Sequence, residues 1–270
     1  MFSISSMSLK PEDERDLEQA VRRLEYTSLA MRIAAAIGKP IEYGIKQLPD
    51  GGRAMIQKAA RTAIEKCLDM AVKTLRAQQT PASGAFHKWA TGVSGAVGGF
   101  FGLAALAVEL PVSTTMMLRS IAEIAREEGE DLAEPGTRLE CLGVFAFGGP
   151  STDDDAADTG YYAVRATLAR TLQEAAAFIS ERGLAERGGP AVVRFISQIA
   201  SRFGITMSEK AAAQAVPVIG AVAGGAINIA FTDHFQQIAH GHFTVRRLER
   251  TYGQETVQAE YGRIKAGLAT

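Results

Sequence analysis

The sequence predicts an all-α fold, a multi-helix bundle with two Gly/Ala-rich central helices, from three observations. Apolar residues recur at helical spacing through most of the chain. Strand signals are sparse, and no hairpin dipeptide stands between alternating apolar runs. Two uncharged stretches, Trp89 to Val108 and Ala211 to Thr232, are rich in Gly, Ala and Val and end abruptly on ionisable residues: Glu109 in the first case, Asp233 with His234 in the second. Small side chains let helix backbones approach closely, so the two stretches are expected to nest together in the interior.

The elements follow in order. Pro11 with Glu12, Asp13 and Glu14 opens the first helix, since proline suits the first turn and acidic side chains meet the positive end of the macrodipole. Leu17, Val21, Leu24, Leu29 and Ile33 continue its apolar face until Gly38, Pro40, Gly44 and Pro49 interrupt it. After Gly51 and Gly52, a second helix keeps Ala54, Met55, Ala59, Ala63, Cys67, Met70, Ala71 and Leu75 on one side. Gln78 to Gly84 reads as a loop before the first small-residue stretch. Pro111 marks a helix junction, and Met116, Met117, Ile121 and Ile124 line the helix beyond it, which ends at Gly129. A shorter segment begins near Pro135, and Phe145 and Phe147 lead into the turn-rich Gly148 to Thr159. Tyr161 to Gly183 carries Val164, Leu168, Leu172, Ala176 and Ile179 along one face. Pro190 opens a helix that stops at Gly204. Thr206 and Glu209 have the form of a capping box and place a helix start ahead of the second small-residue stretch. The last helix runs through Phe231 and Phe235 toward Arg250.

A chain of 270 residues buries a large core as one domain or as two packed lobes. Gly95-Ala96-Val97 and Gly220-Ala221-Val222 are offset by 125 residues, and the same offset sets Glu109 against His234. That spacing fits two pseudo-repeated lobes and equally a coincidence between two runs of simple composition. Lys plus Arg number 29 against 30 for Asp plus Glu, so no basic field exists to hold a nucleic-acid backbone. Cys67 and Cys141 each lie in an apolar helical pattern, which suits buried free thiols and a reducing compartment. No signal-peptide pattern is seen at the start, and the expected location is cytoplasmic.

The uncharged stretches are 20 and 22 residues long, against about 20 apolar residues for a spanning helix. The strongly apolar side chains of the first contribute only about −2 to −4 kcal/mol toward insertion, opposed by Thr91, Ser94 and several glycines. Gln214, Pro217 and Asn228 oppose insertion in the second. The expectation is a buried helix pair, with peripheral contact at the inner face of the cell membrane left open, as is a homo-oligomer through the Gly-rich helices.

The densest chemical constellation is Asp233, His234, Gln237, His240 and His242. On a helix Asp233, Gln237 and His240 share a face, while His234 lies about 100° from Asp233. If Glu109 came opposite, a carboxylate and imidazole set for metal-assisted hydrolysis would result, with Glu109, Asp233 and His234 as catalytic candidates and Glu109, Asp233, His234 and His240 as ligands of a divalent metal. The bland alternative is histidines bonded to backbone or carboxylate partners at the end of a buried helix, and a capping or ion-paired Glu109. Asp153, Asp154 and Asp155 lack the alternating spacing of a calcium loop, and Gly95, Gly98, Gly99 and Gly102 lack the Gly-Lys-Ser/Thr of a phosphate loop.

The run from Glu109-Leu110-Pro111-Val112 through Arg126, then Gly129-Glu130-Asp131, Cys141-Leu142 and Val144-Phe145-Ala146, resembles the EcsC family, as do Val216 to Val222, Asn228, Phe231, Phe243, Arg246 and Leu248. The resemblance implies an EcsC-like helical domain over 51–255, an N-terminal helical extension over 1–50 and a C-terminal tail over 256–270. It also implies a neighbourhood of membrane or ABC-type transport physiology, and it transfers no site residue. The expected function is thus a non-catalytic helical protein acting near a membrane or membrane protein, with the metal-dependent hydrolase as its alternative.

Overall fold

A computed structural model describes residues 9–26, 29, 32–34, 51–73, 102–149, 160–182, 189–214 and 217–268; the side chains of 72–73, 102–109 and 214–225 are outside the described set. Among the described residues the chain is all-α. The helices are α1 (Pro11–Glu25), α2 (Gly52–Lys73), α3 (Gly102–Glu127), α4 (Pro135–Gly143), α5 (Tyr161–Arg182), α6 (Pro190–Gln214), α7 (Pro217–Tyr252) and α8 (Gln254–Leu268), with a 3₁₀ turn at Val144–Ala146.

The longest helix, α7, is the axis. Three bonds from it to α3 and the turn that follows span the same 116 residues: Gln236 Nε2 donates to Ser120 Oγ (2.8 Å), Thr244 Oγ1 to Glu128 Oε1 (3.1 Å) and Arg246 Nε to Glu130 Oε1 (2.8 Å). The constant offset means that the two helices run parallel. α1 lies on α7 in the opposite sense, since Asp13 meets Arg247 while Arg32, further along the chain, meets Asp233. α6 is also antiparallel to α7: Phe203 packs on Phe235, and Lys210 stands over the ring of Phe231. The 3₁₀ turn drives Phe145 between these helices, its ring 5.2 Å from both Phe203 and Phe235. Rings at such distances in tilted and edge-on poses gain roughly 0.5–1.5 kcal/mol per pair beyond their burial.

Five sequence expectations change. Pro111 is inside α3 and ends nothing. Ser113 and Thr114 hydroxyls donate to the Leu110 carbonyl and Thr115 to that of Pro111, so the polar side chains after the proline bond back within the same helix. Gly204 does not stop α6, which continues to Gln214. A mid-helix glycine costs only about 1 kcal/mol, and buried Phe195, Ile199, Phe203 and Met207 carry the apolar face across it. A Cβ at Gly204 would fall 2.4 Å from the Gln57 amide, so this glycine marks where α2 crosses α6. Thr206 is therefore buried in mid-helix, and the capping box is not a helix start. The second small-residue stretch is shared between the end of α6 and α7, which begins at Pro217. In α2, Ala54 and Met55 face outward and Ile56, Ala60, Ile64 and Leu68 complete the buried face.

Other expectations stand. Helices open at Pro11, Pro135, Tyr161 and Pro190, and Gly129 ends the α3 turn with φ +79°. Cys67 and Cys141 are buried free thiols. Trp89 to Phe101, the interruption expected at Gly38 to Pro49, the loop expected at Gln78 to Gly84, and residues 150–159 are outside the described residues. The spatial register of 116 pairs His234 with the level of Leu118, a relation separate from the sequence offset of 125.

Gly241 is the point of closest approach between α7 and α1: a Cβ there would lie 2.7 Å from Leu24 Cγ and 3.2 Å from the Ala20 carbonyl oxygen. Backbone cannot swing aside, so Gly241→Val is expected to cost about 1–3 kcal/mol through overpacking. Urea denaturation should show the lowered midpoint, and an unchanged midpoint would mean the two helices are not in this contact.

Candidate functional site

The sequence candidates are dispersed by their partners. Asp233 is ion-paired with Arg32. His234, on the next position of α7, is fully buried and faces Gly148, whose φ of +72° leaves a gap that a side chain would close: a Cβ there would stand 2.9 Å from His234 Nε2. Burial and the Arg32 charge push the His234 imidazole down to about 4, against the pull of the Gly148 backbone. His240 is half-buried on another side of α7, held below its ordinary value by burial and Arg23, with Glu127 and Glu128 opposing. Glu109 is in α3, its side chain outside the described residues. Among the described residues, no three His, Cys, Asp or Glu side chains are grouped to hold a metal ion.

A different polar constellation forms where α4, α5 and the C-terminal half of α7 converge. Tyr161 Oη and His242 Nδ1 are 2.8 Å apart, and His242 Nε2 is 3.3 Å from Glu140 Oε2. Arg246 Nη1 donates to Glu140 Oε1 (2.9 Å), while its Nε and Nη2 donate to Glu130 (2.8 and 3.0 Å). Arg250 pairs with the same Glu130. Arg165 of α5 forms a two-bond fork with Glu249 of α7, both bonds 2.7 Å, and Tyr162 Oη donates to Glu249 as well (3.0 Å). Such bidentate pairs are the strong geometry for guanidinium and carboxylate. The next residue of α7 after Arg246, Arg247, bridges Glu128, Asp13 and Asp16.

The electrostatics follow from this enclosure. Burial by itself would raise the Glu140 carboxyl, but the adjacent His242 ring and the Arg246 and Arg165 guanidiniums bring it from an ordinary 4.5 to about 2. Burial lowers the His242 imidazole against the pull of Glu140, which favours a neutral ring that is bonded to Tyr161 through Nδ1, with Nε2 close to Glu140 but outside hydrogen-bond geometry. The network was partly readable. His242, Arg246 and Glu249 stand at i, i+4 and i+7 on an otherwise apolar helix face, a polar stripe that points to a buried partner set. Nothing in the local sequence announces Arg165 or Glu140, because both are ordinary polar positions until the fold brings them together.

Apart from Glu109, the opposite end of the α3–α7 pair is uncharged. From Pro217 to Thr232 α7 carries no ionisable side chain, and Glu109 is the only one of α3 before Arg119. Parallel packing places these halves side by side. There Val112 is 53 % and Ile229 68 % exposed, and the register sets Ile229 against Ser113, one residue from Val112. Among the described residues no helix is long and apolar enough to cross a membrane.

Residues 9–248 match the EcsC protein family. The chain belongs to that family. The match takes in α1 as well as the helices from α2 through most of α7, so Glu130, Glu140, Tyr161, Arg165, His242 and Arg246 are within the EcsC region, while Glu249 and Arg250 follow its end. No curated protein and no solved structure matches this EcsC chain.

The depressed Glu140 carboxyl stabilises the fold fully above about pH 4.5, and that contribution is lost as pH falls toward about 2. His234 and His242, held below 6.5 by burial, act in the same direction, because the unfolded chain takes up their protons first. Urea midpoints are therefore expected to fall from about pH 6.5 downward. Glu140→Gln should lower stability at neutral pH by about 3 kcal/mol and flatten the slope between pH 4.5 and 2. An unaltered slope in that variant would remove Glu140 from the acid response.

Proposed function

We propose that this protein is a non-catalytic helical protein that acts near a membrane or an ABC-type transport system, with the uncharged end of the α3–α7 pair as its contact surface. One observation carries the reading. The parallel register gathers two helix halves, uncharged apart from Glu109, at one end and leaves the Glu128 and Glu130 ion pairs at the other. An antiparallel pair would have mixed the two characters at both ends.

Val112 and Ile229 are the exposed large apolar side chains of that end. Side chains of this kind enter the boundary between headgroups and acyl chains without a spanning segment, which agrees with the lack of a membrane-crossing helix among the described residues. A membrane-embedded partner presents a similar apolar face. The chain's overall charge of −1 supplies no strong attraction to anionic lipid, so apolar contact has to carry the binding.

Flotation of the full-length protein with phospholipid vesicles, one set neutral and one anionic, is the test. Co-flotation is expected in both sets, and Val112→Asp or Ile229→Asp should reduce the floated fraction several-fold with no change in urea midpoint, since both positions are exposed. Protein that stays at the bottom of the gradient with every lipid composition overturns the lipid-contact form of the proposal.

A further inference from the structure

At the other end of the molecule a cavity of ≈ 350 Å³ opens between α4, α5, α7 and α8. That volume is within the range of small-molecule sites, which begins near about 300 Å³, and accommodates a molecule the size of a single amino acid. Its floor is the buried ion network: Glu140, Arg165 and Arg246 all line it. One wall is apolar, built from Phe147, Leu168 and Leu172. The exposed Gln173, Gln254 and Gln258 stand around it.

The floor retains bonding capacity of both signs. A guanidinium has five N–H donors. Arg165 commits two of them, both to Glu249, and Arg246 commits three, to Glu130 and Glu140. Glu140 receives one bond from Arg246 on Oε1 and faces His242 with Oε2, which leaves lone pairs on both oxygens. Its orientation is held from behind by the His242 ring, itself bonded to Tyr161. The charges balance: Arg165, Arg246 and Arg250 are matched by Glu130, Glu140 and Glu249.

This pattern selects by charge distribution. A simple anion drawn to the guanidiniums meets the Glu140 carboxylate, and a simple cation drawn to Glu140 meets two guanidiniums. Either must compete with paired groups that are costly to separate. A molecule with a carboxylate and an ammonium a few bonds apart complements both without displacing Glu249 or Glu130. We propose that this cleft binds a free amino acid or similar small zwitterion, its carboxylate toward Arg165 and Arg246, its ammonium toward Glu140 and its apolar side chain against Leu168, Leu172 and Phe147. The site is remote from the uncharged end, so the proposal is independent of membrane contact: a chain that fails to float can still bind the zwitterion.

Isothermal titration of the full-length protein with L-leucine, N-acetyl-L-leucine and L-leucinamide tests it. Leucine has both charges, the acetyl derivative only the carboxylate and the amide only the ammonium. Saturable binding of leucine is expected, with at least a tenfold weaker response to each derivative, a difference of about 1.4 kcal/mol. Leu172→Trp, which fills the cleft from a partly exposed position, should abolish binding with the urea midpoint retained. Glu140→Gln should erase the preference for leucine over N-acetyl-L-leucine. No saturable heat with leucine, equal binding of all three probes, or undiminished binding in Leu172→Trp would each overturn the proposal. The Leu172→Trp result decides the matter even where Glu140→Gln does not fold.

Discussion

The parallel alignment of α3 with α7 is the constraint from which the other arrangements follow. Helices that are sequence neighbours tend to pack antiparallel through short loops. Here α4, α5 and α6 intervene between α3 and α7, and this longer excursion lets the two longest helices point the same way. α1 and α6 then lie antiparallel on α7, and the inserted Phe145 ring joins α6 to it. Glu128 and Glu130, in the turn that ends α3, arrive beside Thr244, Arg246, Arg247 and Arg250 only because the directions agree.

The ion pairs at that end specify position more than they add stability. Desolvating charges offsets much of their attraction, while removing one member of a buried pair costs about 3–5 kcal/mol. A slip of one helical turn between α3 and α7 would separate Glu130 from Arg246 and Glu128 from Arg247 together. The correct register is thus the one arrangement in which several buried charges are all matched. Arg247 extends the same logic to α1, through Asp13 and Asp16, and Glu25 ties α1 to α8 by accepting from Tyr261 and pairing with Lys265.

Helix class, the proline-opened starts and the buried state of both cysteines were legible in the sequence because they depend on residues within one or two turns. Gly204 and Pro111 misled for the opposite reason. Each carries a local breaking tendency of a few kcal/mol, and packing outweighs it: Gly204 admits the side chain of Gln57 from α2, and Met117, Leu118 and Ile121 carry the buried face of α3 on past Pro111. The histidine-rich part of α7 drew attention for sound chemical reasons, but the direction of each ring is a three-dimensional property. His242 meets Glu140 and Tyr161, whereas its neighbours His234 and Asp233 turn to Gly148 and Arg32. Partners 81 and 201 residues apart leave no trace in local spacing.

The two thiols have a practical corollary. Burial pushes Cys67 up to about 12 and raises Cys141 as well, so neither sulfur is a nucleophile while the helices stay closed around it. An alkylating reagent reaches them only in molecules that have opened. Because Cys67 is in α2 and Cys141 in α4, the order in which they take up label is a clock for which part of the bundle parts first.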